Sequence, residues 1–315
     1  MKVIVTGGAG FIGSHLVRRL LSLGHEVVII DNFSSGKRGN VPLGIDCMEI
    51  DLSETDFTTK LPNGNYDAVC HLAAQSAGAL SAEKPLYDFQ ANAMSTLLLS
   101  RWCLERGISR FLYASSMATY GNVDKSPVSE DELCIPRSYY GVSKLTSEHL
   151  LRLAGVDGLN VTSLRMFSVY GPGQDLGNVK QGMVSIFLSY MLRGVEVPVT
   201  GSLQRFRDFI YVEDVVDAWI KALNLPHTSQ EVYNVGSGHG TTVQELLSSL
   251  IRVLDLSIDY PIRELEGNSS DQFGLYADIS NANKDLGWQP KTNLDDGLKA
   301  MIDWARSAGN ERDIE

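Results

Sequence analysis

Residues 6–13 read TGGAGFIG, with Gly7, Gly10 and Gly13 spaced three apart, directly after the apolar run Val3-Ile4-Val5. Glycine costs backbone entropy at a helix start, so such a cluster belongs where the chain turns sharply or approaches something closely. An ordinary strand-to-helix turn would explain the stretch if it stood alone. Here Ile12, Leu16, Val17, Leu20 and Leu21 follow at helical spacing, and residues 27–30 form a second apolar strand ending in Asp31. In that setting the glycines let the backbone approach a pyrophosphate, while the first helical turn points unpaired N–H groups at it. The Gly-x-x-Gly-x-x-Gly spacing is a variant of the commoner Gly-x-Gly-x-x-Gly dinucleotide loop. Asp31 stands where a carboxylate accepts from ribose hydroxyls and repels a 2′-phosphate, which favours NAD. Lys37 and Arg38 close by keep NADP open as the alternative.

Further along, apolar strand candidates recur at 3–6, 27–30, 47–50, 68–72, 111–115 and 161–165, most of them separated by helical patterns. Nearly unbroken apolar strands alternating with helices predict a parallel sheet covered on both faces. After Arg165 the rhythm degrades. Short strands are expected at 197–200 and 209–212, and helices at 183–192, 212–223, 242–254, 279–286 and 295–308. The fold expected is α/β: a Rossmann-type, doubly wound parallel sheet with a smaller mixed α/β lobe. The boundaries expected are 1–166 for the dinucleotide domain, with strands around 209–238 returning to it, and 167–315 for a substrate-binding lobe.

The formal charge of −11 over 315 residues argues against nucleic acid or an anionic membrane as the main partner. An anionic substrate must then be met by local cations and helix starts. Cys47, Cys70, Cys103 and Cys134 are scattered, with no histidine at metal-ligand spacing, so buried thiols in a reducing cytoplasm are expected and no metal site. No targeting segment is expected, since Val3 already lies in a strand, and no apolar run approaches the ~18 residues of a membrane span.

The chemistry concentrates in SYYGVSKLTSEHLL, residues 138–151, where Tyr140 and Lys144 stand four apart on one helix face. A lysine ammonium beside a phenol favours phenolate, and a bound nicotinamide cation adds to that, moving Tyr140 from ~10 toward neutral pH. Such a tyrosine takes and returns the proton of a sugar hydroxyl while hydride moves. Upstream, RFLYASSMATYGN ends a strand in Ser115 and Ser116, at the sheet edge where open α/β folds bind ligands.

With glycine loop, strand-end serines and Tyr-x-x-x-Lys in this order, the chain resembles the extended short-chain dehydrogenase/reductases over essentially its whole length. Within them it resembles the nucleotide-sugar epimerase/dehydratase family. The resemblance implies NAD pyrophosphate on Gly7, Gly10, Phe11, Ile12 and Gly13, and adenosine ribose on Asp31 and Asn32. It further implies adenine near Asp51 and Leu52, a cofactor wall of Leu72, Ala73 and Ala74, and a cofactor-side role for Asn92. Catalysis falls to Ser116, Tyr140 and Lys144. LRMFSVYGPGQ and RFRDFIYVEDVVDA resemble two further family passages, which assigns Ser168 and Arg207 to the substrate, Arg207 meeting the nucleotide diphosphate.

Two departures stand out. Ser168 replaces the usual asparagine, and Asn268-Ser269-Ser270-Asp271 replaces an Arg-x-Gly-Asp, so one diphosphate arginine is missing or is supplied from elsewhere, Arg205 or Arg263 being candidates. Leu275 falls where relatives specific for glucose and galactose have a pocket-closing tyrosine, so a pocket wide enough for an N-acetyl group is expected there. Met117 and Ala118 stand where the 4,6-dehydratases carry an Asp-Glu pair and decarboxylating relatives a glutamate, which leaves no extra acid for elimination. The resemblance thus implies 4-epimerisation of a nucleotide-diphosphate sugar, a UDP-sugar above all, as in the UDP-glucose and UDP-galactose 4-epimerases, through a transient 4-ketone with NAD retained. A reductase using NAD(P)H, an epimerase acting at another position and a non-catalytic dinucleotide sensor are the alternatives. A homodimer is expected through helices at 91–104 and 139–153, with Leu97, Leu98, Leu145 and Leu150 among their apolar residues.

Overall fold

The computed structural model describes residues 1–178, 182–225, 227–228, 230–267 and 273–307. Its first half follows the expected rhythm: β1 (Lys2–Thr6), α1 (Phe11–Ser22), β2 (Glu26–Asp31), β3 (Asp46–Glu49) and β4 (Ala68–His71). Then come α2 (Gly78–Glu83), α3 (Pro85–Phe89), a π-helical turn (Gln90–Met94), α4 (Ser95–Glu105), β5 (Arg110–Ser116), α5 (Tyr139–Val156) and β6 (Asn160–Met166). Beyond it lie β7 (Ser168–Tyr170), α6 (Met183–Leu192), β8 (Val197–Thr200), β9 (Phe206–Arg207), β10 (Phe209–Tyr211) and α7 (Val212–Asn224). The chain continues through β11 (Val232–Val235), β12 (Thr241–Thr242), α8 (Val243–Leu254), β13 (Ile262–Leu265), β14 (Gly274–Leu275), α9 (Ser280–Leu286) and α10 (Leu294–Arg306).

A seven-stranded sheet in the order β3-β2-β1-β4-β5-β6-β11 carries the structure. Every pairing in it is parallel. Such a sheet must be covered on both faces, and β1 shows how the alternation does it. Val3 and Val5 pack with Leu16, Val17 and Leu20 of α1 and Trp219 of α7, whereas Ile4 packs on the other side with Leu99 and Trp102 of α4 and Leu151 of α5. Each fully buried Val, Ile or Leu stabilises the fold by about 1.5–3 kcal/mol, so the two layers fix the register of every strand.

Of the stretch 209–238, only β11 enters this sheet, beside β6. β10 pairs instead with β7 in a separate two-stranded sheet, because α7 follows it at once and packs against α1. A further core gathers α6, α8 and α10 around Val197 and Val199 of β8. Two caps fix its helices. Thr242 and Glu245 form a reciprocal capping box on α8, and Asn293 accepts from the Asp296 N–H at the start of α10. Among the described residues no helix is long and apolar enough to cross a membrane.

Candidate active site

A cleft of about 580 Å³ opens over the carboxyl ends of β1, β2, β4, β5 and β6 and is closed from the other side by residues of 166–184 and by Arg207 and Phe209. Its floor is the glycine loop. Gly7 has φ +69°, and a Cβ there would stand 2.6 Å from the Ala73 nitrogen; on Gly13 a Cβ would stand 2.1 Å from the Gly7 carbonyl oxygen. The backbone is therefore packed as tightly as glycine allows, and α1 begins against it with neither a capping side chain nor an acid in its first turn. Its free N–H groups and dipole are left for an anion.

At the end of β2 the Asp31 carboxylate, 7 % exposed, accepts from Ala9 N–H at 2.9 Å and Phe33 N–H at 2.8 Å. The arrangement fixes a negative charge on the ribose side of the cleft, which suits NAD. Arg38, which would have tolerated a 2′-phosphate, is turned onto Glu49 at 2.5 Å and over the Phe33 ring at 4.2 Å. Lys37 does line the cleft, with Asp175 at 4.0 Å. Gly7, Gly10, Phe11, Ile12, Gly13, Asp31, Asn32, Asp51, Leu52, Leu72, Ala73 and Ala74 all line this half, so the donors and shape present fit a dinucleotide. Asn92 does not. Its side chain is buried behind the wall, where it accepts from Gln75 N–H and donates to the Gln75 carbonyl and to Ser143 Oγ, so it supports the site rather than touching the cofactor.

The other end of the cleft assembles the expected chemistry. β5 ends in Ser116, whose Oγ accepts from Ala118 N–H and caps a short 3₁₀ turn. α5 starts at Tyr139, capped by Ser138 Oγ, and its first turn rests directly on that 3₁₀ turn: a Cβ on Gly141 would lie 2.4 Å from the Ala118 carbonyl oxygen. Gly141 thus lets Tyr140 come up to Ser116. The Tyr140 phenol is pushed up to about 12, by burial above all and also by Asp88, while its hydrogen bond with Ser116 pulls it down. Lys144 is buried with its Nζ 2.8 Å from the Ala114 carbonyl and 5.7 Å from the Tyr140 ring centre, and burial lowers it to about 7. Desolvation is the largest influence on Tyr140 and holds it above its ordinary value, so the expected shift toward neutrality does not come from the protein's own groups.

On the substrate side Ser168 and Arg207 both line the cleft. Arg207 donates to the Phe206 and Phe273 carbonyls; Glu213, close to it in sequence, is taken by His15 and Arg19. Asp208 accepts instead from Ser237, Gly238 and Ala277. Arg205 holds Thr200 and Ser202, and Arg263 pairs with Glu196 at 3.0 Å; neither lines the cleft. Residues 268–271 lie outside the described residues. Leu275 overturns an expectation. It is fully buried among Tyr120, Val128, Phe167 and Ala277 and is not on the cleft wall, so it does not gate a sugar substituent. Its strand pairs with β9, which draws the side chain into this small core.

Several lining residues were not singled out in the sequence, among them Ser35, Tyr87, Gln174 and Met183. Tyr87 has a readable signal in hindsight: it lies one residue before Asp88 on the short helix that precedes Asn92, and in the fold its hydroxyl meets Asn32. Gln174 comes from a segment without periodicity and had none, and Met183 reads only as the start of a helix, α6. Among the described residues no cluster of potential ligands could hold a metal ion, and all four cysteines are free.

Residues 3–236 match the profile of the NAD dependent epimerase/dehydratase family. The chain is 32% identical to a putative UDP-glucose 4-epimerase of Methanocaldococcus jannaschii over 97% of its own length and 98% of that protein. Among solved structures it is similar to the UDP-glucose 4-epimerase of Thermotoga maritima with UDP-glucose, at 35% identity and a TM-score of 0.92, covering 97% of this chain and 99% of that one. It is also similar to the UDP-glucose 4-epimerase of Thermus thermophilus in complex with NAD, at 34% identity and a TM-score of 0.88, covering 98% and 100%.

Proposed function

The chain belongs to the NAD-dependent epimerase/dehydratase family, and from that premise we propose that it interconverts the C4 epimers of a UDP-sugar with NAD held throughout the cycle. The observation that carries the reading is the junction of Ser116, Tyr140 and Lys144 at the inner end of a cleft whose other half is the glycine loop and Asp31. Bound NAD supplies the hydride acceptor, the later hydride donor and a positive charge that favours phenolate at Tyr140. Tyr140 removes the C4 hydroxyl proton and returns it, and Ser116 shares a hydrogen bond with the same oxygen. Lys144 keeps a positive charge beneath the pair. Arg207 faces the diphosphate, a charge-assisted contact that an otherwise acidic chain needs.

Met117 and Ala118 occupy the turn after Ser116 and carry no group able to move a proton, so the 4-ketone has no exit by elimination. It turns over and is reduced on its other face. Incubation with UDP-, GDP-, CDP- and dTDP-sugars, read by NMR of the products, tests the proposal. Interconversion at C4 with no net consumption of nicotinamide is the expected result. Reduced or dehydrated products, or no turnover of any sugar, would overturn it in favour of a reductase, a dehydratase or a sensor.

Assembly follows from the same helices that carry the chemistry. Leu97 on α4 and Val142, Leu153 and Val156 on α5 are exposed apolar residues, whereas Leu98 packs inward and Leu145 and Leu150 are half-buried. We infer a homodimer in which these two helices pair with their copies, which removes an apolar face from water. Light scattering at micromolar concentration should give twice the chain mass, and Val142→Asp combined with Leu153→Asp should reduce it to one. A monomer mass for the parent chain rules the dimer out. The unpaired cysteines suit the reducing cytoplasm, where we place the enzyme.

A further inference from the structure

Lys144 is 2% exposed and makes one hydrogen bond, to the Ala114 carbonyl. An ammonium so placed needs a compensating negative charge, because an unpaired buried charge is costly. The charged and titratable groups packed around it are few. His71 of β4 is fully buried between Thr6 and Thr96 and is held neutral, lowered to about 3 by burial and by Lys144 itself. Tyr113 of β5 offers its ring, 4.8 Å from Nζ, and burial keeps it a phenol, as it does Tyr140. Glu148, one turn further along α5, is already matched: Arg165 of β6 grips it with two bonds, at 2.9 and 2.7 Å, and Ser115 Oγ donates to it as well.

Asp88 on α3 remains. It is 1% exposed, and among the described residues no cation lies within ion-pair distance of it. Its oxygens accept only from neutral donors, Ser143 Oγ at 2.7 Å and the Gln75 amide at 3.4 Å. Ser143 is the residue before Lys144. A buried carboxylate without a cation thus sits one residue's reach from a buried ammonium without a carboxylate.

We propose that Asp88 is a positioning residue whose carboxylate is the counter-charge that keeps Lys144 an ammonium under the catalytic tyrosine. The inference rests on the proposed function for the role of Lys144, but the charge pairing itself is a property of the fold. Burial drives Lys144 toward losing its proton, and of the groups that oppose this Asp88 contributes most, followed by the already neutralised Glu148. Without the carboxylate, Lys144 gives up its proton at lower pH, and whatever needs its charge fails earlier on the alkaline side.

A stability cycle tests the pairing without any substrate. Asp88→Asn should lower the melting temperature of the parent chain, where it strands Lys144, by about 2–4 °C. It should raise it by a similar amount in a Lys144→Met background, where the same change removes a stranded carboxylate. Equal shifts of one sign in both backgrounds, or failure of the Asp88→Asn chain to fold in both, overturn the proposal even if the epimerase reading stands. The second arm is the pH profile of kcat/KM on the sugar that the panel identifies. Asp88→Asn should move its alkaline limb about one pH unit lower. A lowered rate with the limb unmoved indicates a purely structural role and overturns the proposal. Absence of any turnover by the parent chain defeats the epimerase reading and leaves the stability cycle to decide the pairing.

Discussion

Tyr140→Phe is expected to lower kcat by about 10²–10⁴-fold, the usual worth of a positioned acid–base group. NAD content and melting temperature should stay at the parent values. The phenyl ring remains to fill its place between Ser116 and Lys144, so only the hydroxyl that carries the proton is lost. Lys144 cannot replace it, because its Nζ donates to the Ala114 carbonyl at the end of β5, and Ser116, whose Oγ accepts from Ala118 N–H, contributes a hydrogen bond rather than a base. The measurement is initial-rate epimerisation of the sugar identified by the panel, with the NAD content of each preparation determined after acid release. Activity retained within about threefold removes Tyr140 from the role.

Gly13→Ala is expected to weaken NAD binding by about 10- to 100-fold, which corresponds to the ~1–3 kcal/mol of an overpacked site. The added methyl has no free direction: it meets the Gly7 carbonyl oxygen at 2.1 Å and Gly8 Cα at 2.9 Å, both backbone atoms. To accept it, the loop must lift away from α1, and the N–H groups at the helix start move off the pyrophosphate. Isothermal titration of NAD into protein freed of cofactor measures the effect. Gly24→Ala is the control for a generic glycine effect: Gly24 also has a positive φ, but nothing lies within 4 Å of a Cβ there, so it should cost stability while leaving NAD affinity unchanged. Equal NAD affinity in parent and Gly13→Ala removes the close-approach argument.

What the sequence revealed was whatever is written locally. The glycine spacing, the apolar strands and the Tyr140–Lys144 interval each depend on residues within a few positions of one another, and the fold places them as expected. Helix 183–192 and strand 197–200 agree with α6 and β8 to the residue. The misreadings lie where a distant contact decides. Asn92, expected on the cofactor side, supports the cleft wall from behind, where Gln75 and Ser143 consume its amide. Leu275 reads as a pocket wall until the pairing of β14 with β9 draws it into the cluster around Tyr120 and Phe167. β10 reads as a returning strand although β11 is the one that joins β6. Asp88 carried no signal at all, since an aspartate on a short helix is ordinarily solvated and only the packing of α3 against α5 buries it.

The π-helical turn Gln90–Met94 acts as a phase setter between two jobs on one helical rod. Upstream of it, Asp88 faces Ser143 and the catalytic helix; downstream, Leu97 faces outward with the surface assigned to the second copy. An α-helix advances about 100° per residue, and a π turn is in effect an α turn with one residue added. Deleting a single residue there would close the turn and rotate one segment against the other by roughly that angle, so that either Asp88 leaves the active centre or Leu97 leaves the surface. The angular offset between the face that carries Asp88 and the face that carries Leu97 is thus stored in one extra residue.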